Sequence, residues 1–166
     1  MKTKEAFDLL NKQLPKGVFL TVKNDNKVNT MVIGWATVGR VWGKEIMTVM
    51  VRFSRNTYDL IKNADSFTVS VPEYDTMKKE IAFMGTKSGR DFNKYKETGL
   101  TLSDAKNVES PIINEAKVHY ECKIVYKQSM DPTGIIDYEN IEKRFYEGNN
   151  DYHMIYYGEI LNVYDK

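Results

Sequence analysis

The sequence predicts a mainly β domain, an antiparallel barrel or sandwich with helices at its edges. Three observations predict it. Short runs alternate with a period of two, as where Val18, Leu20 and Val22 interleave with Phe19, Thr21 and Lys23. Turn residues separate the runs closely, as in Asn24-Asp25-Asn26-Lys27. Helical spacing is confined to the N-terminus and a few short stretches. Closely spaced β runs joined by short turns belong to antiparallel barrels and sandwiches.

The elements follow in order. Ala6, Phe7, Leu10 and Leu14 sit at helical spacing from Lys4 to Leu14, and Pro15 stops the helix. After the 18–23 strand and its turn, a second strand is expected from Val28 to about Val38. A turn from Gly39 to Lys44 leads to a third, Glu45 to Val51. Ser54-Arg55-Asn56-Thr57 opens a short helix through Tyr58 to Asn63. Ser66 to Val71 is a strand with Phe67, Val69 and Val71 on one face, ended by Pro72. Helices are expected over Asp75 to Met84 and Asp91 to Lys96, the latter closed by Gly99. Val118 to Lys127 is a long strand, Asp131 to Asn150 is polar and patternless, and Tyr152 to Tyr164 is the last strand.

Composition excludes several classes. The chain has 166 residues, 42% hydrophobic and 12% aromatic, the content of a folded domain and not of a disordered one. No linker or repeat divides residues 1–166, so one domain is expected. Cys122 is the only cysteine, which excludes a disulfide scaffold. No apolar run approaches the ~20 residues of a membrane span. The start, Met-Lys-Thr-Lys-Glu, lacks a signal-peptide core, so a cytoplasmic protein without membrane partners is expected. Lys and Arg number 24 against 23 Asp and Glu, a net charge of +1. With no basic stripe, nucleic acid is not an expected partner.

Familiar catalytic motifs fail. Gly34 to Gly39 has Walker A spacing, but Arg40-Val41 stands where Lys and Ser or Thr are required. There is no GxGxxG for a dinucleotide. His119 and His153 are the only histidines, so no metal site is expected. Cys122, whose neighbour Lys123 points to the opposite strand face, reads as a buried thiol.

Three segments carry residues suited to a phosphorylated ligand. Arg52-Phe53-Ser54-Arg55-Asn56-Thr57 places guanidinium groups and hydroxyls where a strand meets a helix N-terminus. The same residues also suit a capped helix with solvent-facing arginines. Lys87-Ser88-Gly89-Arg90-Asp91, with Lys94 beyond, reads either as an anion nest or as a plain surface loop. In the nest reading Asp91 caps the next helix, leaving Ser88, Arg90 and Lys94 for a ligand. Asn29-Thr30-Met31-Val32-Ile33-Gly34-Trp35 offers a strand along which a flat ligand could approach bare backbone, or else a core strand with a packing Trp.

Together these segments resemble the flavin reductase-like family with the FMN-binding split-barrel fold, from Lys16 to the C-terminus. The motifs are Val28 to Trp35, Val51 to Thr57 and Gly85 to Asp91, with weaker matches at His119 to Lys123 and Asp151 to Ile160. The resemblance implies a six-stranded Greek-key barrel with helices at its rim, assembled as a homodimer with FMN at the interface. It implies that Asn29, Thr30, Met31, Val32, Ile33, Gly34 and Trp35 line the isoalloxazine. Arg52, Ser54, Arg55, Asn56 and Thr57, with Ser88, Arg90 and Lys94, would serve the ribityl chain and phosphate. His153 would lie near the flavin or the nicotinamide, or else be a strand histidine satisfied by a neighbour. Phe83-Met84 stands where smaller residues are expected, and Met31-Val32 is more apolar than the hydroxyl-bearing versions of this strand.

The implied reaction is hydride transfer from NADH or NADPH to flavin N5, in which the cofactor supplies the chemistry. No side chain need act as acid or base, so no catalytic residue is assigned. FAD also fits in place of FMN. The reduced flavin would pass electrons to an acceptor, such as a monooxygenase or a ferric complex. Two alternatives stay open: an electron carrier without efficient NAD(P)H activity, and a non-enzymatic β-barrel binding module.

Overall fold

The computed structural model describes residues 3–165. Helix α1 (Thr3–Gln13) buries Ala6 and Leu10 and passes into a single 3-10 turn, Leu14–Lys16. Pro15 sits inside that turn, where its fixed φ and missing N–H are tolerated but an α-helix could not continue. The buried Gln13 side chain then bonds the Gly17 carbonyl at 3.1 Å and accepts from the Asp75 N–H at 3.1 Å.

Strands β1 (Val18–Asn24) and β2 (Lys27–Ile33) form a hairpin whose turn narrows to Asp25–Asn26. The expected strand over 28–38 is cut at Gly34–Trp35, and a separate β3 (Ala36–Val41) follows. The expected turn over 39–44 likewise shrinks to Trp42–Gly43, both left-handed at φ 53° and 73°. Positive φ at both central residues matches the right-handed twist of the flanking strands, so β3 and β4 (Lys44–Arg52) pair closely.

The main sheet has seven strands in the order β2-β1-β5-β8-β9-β4-β3, all neighbours antiparallel. Here β5 is Ser66–Val71, β8 is Val118–Ser129 and β9 is His153–Asp165, while the intervening β6 (Leu102–Ser103) and β7 (Ile112–Ile113) form a separate two-stranded pair. Seven strands replace the expected six because the 28–38 segment supplies two. The two edge strands, β2 and β3, are consecutive in the chain, joined only by Gly34–Trp35. The sheet therefore curls until its edges come together without pairing, and the barrel stays split along that line.

The interior is filled by Val18, Leu20, Val22, Met47, Val49, Phe67, Val69 and Tyr156, with Ala6 and Leu10 of α1 joining them. Cys122 is fully buried there, and burial pushes its thiol pKa up, away from reactivity. β5 is buried on both faces, with Phe67, Val69 and Val71 in the barrel interior. Its polar face is covered by the 110–113 segment: Thr68 Oγ1 donates to the Pro111 carbonyl at 2.6 Å, and Ile113 N–H donates to Ser70 Oγ at 3.1 Å.

Outside the barrel, α3 (Lys78–Thr86) and α4 (Lys94–Thr98) pack against β1 and β2 through Ile81, Met84 and Leu100 on Phe19. The expected helix from Asp75 starts later because Asp75 and Met77 are left-handed, at φ 62° and 55°. The expected helix from Asp91 also starts later, capped by Asn93, whose side chain accepts from Lys96 N–H at 3.2 Å. Gly99 closes it at φ 74°, as the sequence predicts. Between β8 and β9 the 131–150 excursion holds a 3-10 turn (Pro132–Gly134), a π turn (Tyr138–Glu142) and α5 (Lys143–Phe145). Among the described residues, no helix is long and apolar enough to cross a membrane.

Candidate functional site

A groove opens beside the split. Its wide end is a cavity of about 220 Å³ lined by Met31 to Trp35 of β2 and its exit, Met50 and Arg52 of β4, Arg55, Phe145 and His153. Its narrow end, about 150 Å³, is lined by Asn29, Ser54 to Thr57, Met84, Thr86 to Arg90 and Lys94. Met31 and Arg55 border both, so the two cavities form one groove. The described residues of one chain build both ends.

Edge position shapes the wide end. β2 pairs only with β1 in the sheet, so its outward N–H and C=O groups are not used by a neighbouring strand. Trp35 stands partly exposed at the mouth, with Phe145 edge-on at 4.9 Å and His153 at 5.5 Å. His153 is buried, its Nδ1 2.8 Å from the Tyr146 hydroxyl. Burial first, and then the Arg52 and Arg55 cations, hold its pKa down at about 4 against the upward pull of Asp151. The ring is neutral at neutral pH.

The narrow end is cationic. Lys94 is buried, and its Nζ donates to the Met84 carbonyl at 2.7 Å. No carboxylate pairs with it among the described residues. Desolvation, and then the nearby Arg55, lower its pKa to about 8. Arg55 itself donates to the Gly85 carbonyl at 3.3 Å, and α2 (Asn56–Ile61) starts beside it without a side-chain cap. Gly89 is not left-handed; it is needed for room, because a Cβ there would overlap Asn29 Oδ1 and approach Asn56 Nδ2 to 2.8 Å.

The sixteen residues singled out from sequence do not all face this groove with free groups. Thr30 lies outside it: its hydroxyl bonds Thr21 at 2.8 Å and Tyr95 at 2.9 Å, because strand alternation turns it away from Asn29 and Met31. Arg52 does not line the narrow, cationic end, although its carbonyl accepts the Arg55 N–H at 3.1 Å. It borders the wide end and spends its donors on the carbonyls of Phe145, at 3.0 Å, and Asp151. Ser54 is engaged by Asp151, and Thr57 accepts from Asn29 Nδ2 at 2.8 Å. Arg90 is paired with Asp59 at 2.7 Å, while Ser88 Oγ accepts the Arg90 N–H at 3.1 Å. Asn29, Met31, Val32, Ile33, Gly34, Trp35, Arg55, Asn56, Lys94 and His153 line the groove. Sequence reasoning missed Met50 and Phe145. Met50 looks like any strand residue, and Phe145 comes from a segment with no readable period.

An antiparallel split barrel with an edge-strand groove that ends in a buried lysine without a carboxylate partner among the described residues defines the structural class of this protein. Within that class, the family model described as the flavin reductase like domain matches residues 12–165, and the chain belongs to that family. A relative from Archaeoglobus fulgidus, itself uncharacterized, is 32% identical over 121 residues, covering 73% of this chain and 67% of its own length. The structure of flavoredoxin from Methanosarcina acetivorans superposes with a TM-score of 0.69 at 22% identity, covering 90% of this chain and 68% of that one. The Streptomyces globisporus NADH:FAD oxidoreductase gives 0.68 at 15% identity over 90% of this chain and 75% of that one. At these identities the two structures establish the fold alone.

Proposed function

We propose that the groove binds FMN and that the protein is an NAD(P)H-dependent flavin reductase. The observation that carries this reading is Lys94, a buried amine with no counter-ion at the closed end of a groove whose open end is an edge strand. Burying a cation without a partner is unfavourable, so an anion that completes the corner is strongly selected. A phosphate there meets Lys94, Arg55 and the uncapped start of α2, while the outward backbone groups of β2 match the donors and acceptors of a heteroaromatic edge. When bound, the flavin supplies the hydride-accepting chemistry. The chain's own task is to orient the ring along Ile33 to Trp35, to restrict one side with Trp35 and Phe145, and to hold a neutral imidazole nearby. FAD shares the groups that Lys94 and Arg55 would bind, and a homodimer with a downstream electron acceptor completes the reading.

Absorbance of the purified protein and mass analysis of released chromophore test the flavin; a colourless protein that takes up no added FMN rejects it. Anaerobic stopped-flow mixing with NADH or NADPH tests the activity through fast bleaching of the flavin band. The electron-carrier reading has its own support in Phe145, which stands edge-on to Trp35 in the wide end and narrows the room left for a nicotinamide. Slow bleaching would favour it.

A further inference from the structure

The imidazole in the wide end has its tautomer set by one hydrogen bond. His153 Nδ1 lies 2.8 Å from the hydroxyl of Tyr146, which is 2% exposed. That hydroxyl makes no other hydrogen bond among the described residues. If Nδ1 donated to the phenol oxygen, the phenol O–H would stay buried with no acceptor, an arrangement that is strongly disfavoured. With the phenol donating to Nδ1, the phenol O–H and Nδ1 satisfy each other and the ring proton sits on Nε2. Nε2 has no partner among the described residues and is not sealed from the groove that His153 lines. Tyr146 is itself held firmly. Its ring stacks on Tyr152 at 4.8 Å and 20°, the Arg52 guanidinium lies 5.1 Å from its centroid, and Tyr152 OH donates to Glu142 at 2.6 Å.

We propose that Tyr146 is a positioning residue that locks His153 as the Nε2–H tautomer, so that the groove presents a neutral hydrogen-bond donor to a carbonyl oxygen of its ligand. The ligand half rests on the flavin reading above; the tautomer half does not. A neutral donor holds an acceptor without adding a third charge beside Arg52 and Arg55, and with only Asp151 opposing them it stays neutral across the ordinary pH range. Two carbonyls share this chemistry, one on the pyrimidine ring of flavin and one in the carboxamide of nicotinamide.

Imidazole ¹⁵N NMR of the unliganded protein tests the lock, with His153→Gln assigning the resonances. Wild type should show a protonated Nε2 and an unprotonated Nδ1, and Tyr146→Phe, which keeps the stacking ring, should show both tautomers in exchange. An Nδ1–H ring in wild type, or an unchanged tautomer in Tyr146→Phe, overturns the lock. Added FMN should shift Nε2 if the flavin carbonyl is the acceptor; a shift only on later addition of tetrahydro-NADH, which cannot transfer hydride, assigns the carboxamide. No shift with either while FMN absorbance reports binding overturns the donor role and leaves the flavin reading standing. Failure to bind FMN overturns both, with the tautomer still decided by the unliganded spectra. Binding of the ligand that shifts Nε2 should weaken about tenfold in His153→Leu, the value of one hydrogen bond, and His153→Gln, which keeps an N–H donor, should recover most of it. Equal losses in both variants overturn the donor role.

Discussion

The side-chain amide of Asn29 donates to Thr57 Oγ1 at 2.8 Å, tying β2 to α2 across 28 positions of sequence. Both residues are buried, and Gly89 lies so close that a Cβ on it would overlap the other atom of the Asn29 amide. The three segments singled out from sequence therefore meet at one point. Thr57→Ala leaves a buried N–H without an acceptor and should lower stability by about 1–3 kcal/mol in denaturant titration, whereas Thr57→Ser should restore it. Gly89→Ala should displace Asn29 and weaken FMN binding measured by fluorescence quenching.

The cationic corner should discriminate FMN from riboflavin. Arg55→Ala should weaken FMN markedly and riboflavin little; equal losses would remove Arg55 from the phosphate. Thr57 is unsuited to this test, because its hydroxyl already serves Asn29.

Lys94 makes that discrimination depend on pH. In the unliganded protein its pKa is lowered to about 8, so the amine is charged below that pH and neutral above it. A phosphate raises the pKa, so FMN affinity should fall as pH climbs above 8, by up to about tenfold per unit. Riboflavin affinity should stay flat, and Lys94→Met should abolish the slope. Parallel pH profiles for the two ligands would show that Lys94 does not meet the phosphate.

Arg52 fastens the 131–150 excursion through the carbonyls of Phe145 and Asp151. Arg52→Ala should free that segment, seen as faster proteolytic nicking within 131–150 and altered fluorescence of Trp35. Lys cannot supply the planar fork that reaches both carbonyls, so Arg52→Lys should rescue poorly.

Two groups should govern acid stability. His153 has a folded pKa of about 4 against 6.5, so the unfolded chain binds the extra proton and stability falls as pH drops from 6.5 to 4. The loss is up to about 3 kcal/mol, and His153→Gln should flatten it. Burial pushes the Glu121 carboxyl up, but the N–H groups of Lys106 and Asn107, the Asn107 amide and the Tyr164 hydroxyl outweigh it and hold its pKa low. Its contribution is present above the ordinary carboxylate pKa and is lost as pH falls through the folded value. Glu121→Gln should therefore destabilise most near neutrality and least in acid.

Gel filtration should give a dimer of the 19.3 kDa chain, since β3 is an unpaired edge ending in the exposed Trp42. A monomer that holds FMN tightly would remove the partner copy from the site.

Much of the barrel was legible in local pattern. β5 runs from Ser66 to Val71 as the alternation and Pro72 predict, and Gly99 closes α4 because only a left-handed residue fits there. The break at Gly34–Trp35 was not legible, because the apolar pattern runs through it. The groove's basic corner was readable as Arg55 and Lys94 in motif segments, but which cations stay free was not. Arg90 is neutralised by Asp59 and Arg52 is occupied by carbonyls 93 and 99 positions away.

By itself the sequence determined most of the strands, the places where turns fall and the set of residue types gathered for an anion, because backbone sterics and side-chain alternation act over a few neighbours. Only the tertiary structure decided which of those side chains are spent on the protein and which face the groove. That choice rests on pairings across dozens of positions, such as Ser54 with Asp151 and Asn29 with Thr57, and on the burial of Lys94 with a backbone carbonyl but no carboxylate beside it. Long-range contact and desolvation are properties of the folded surface, so no local pattern carries them.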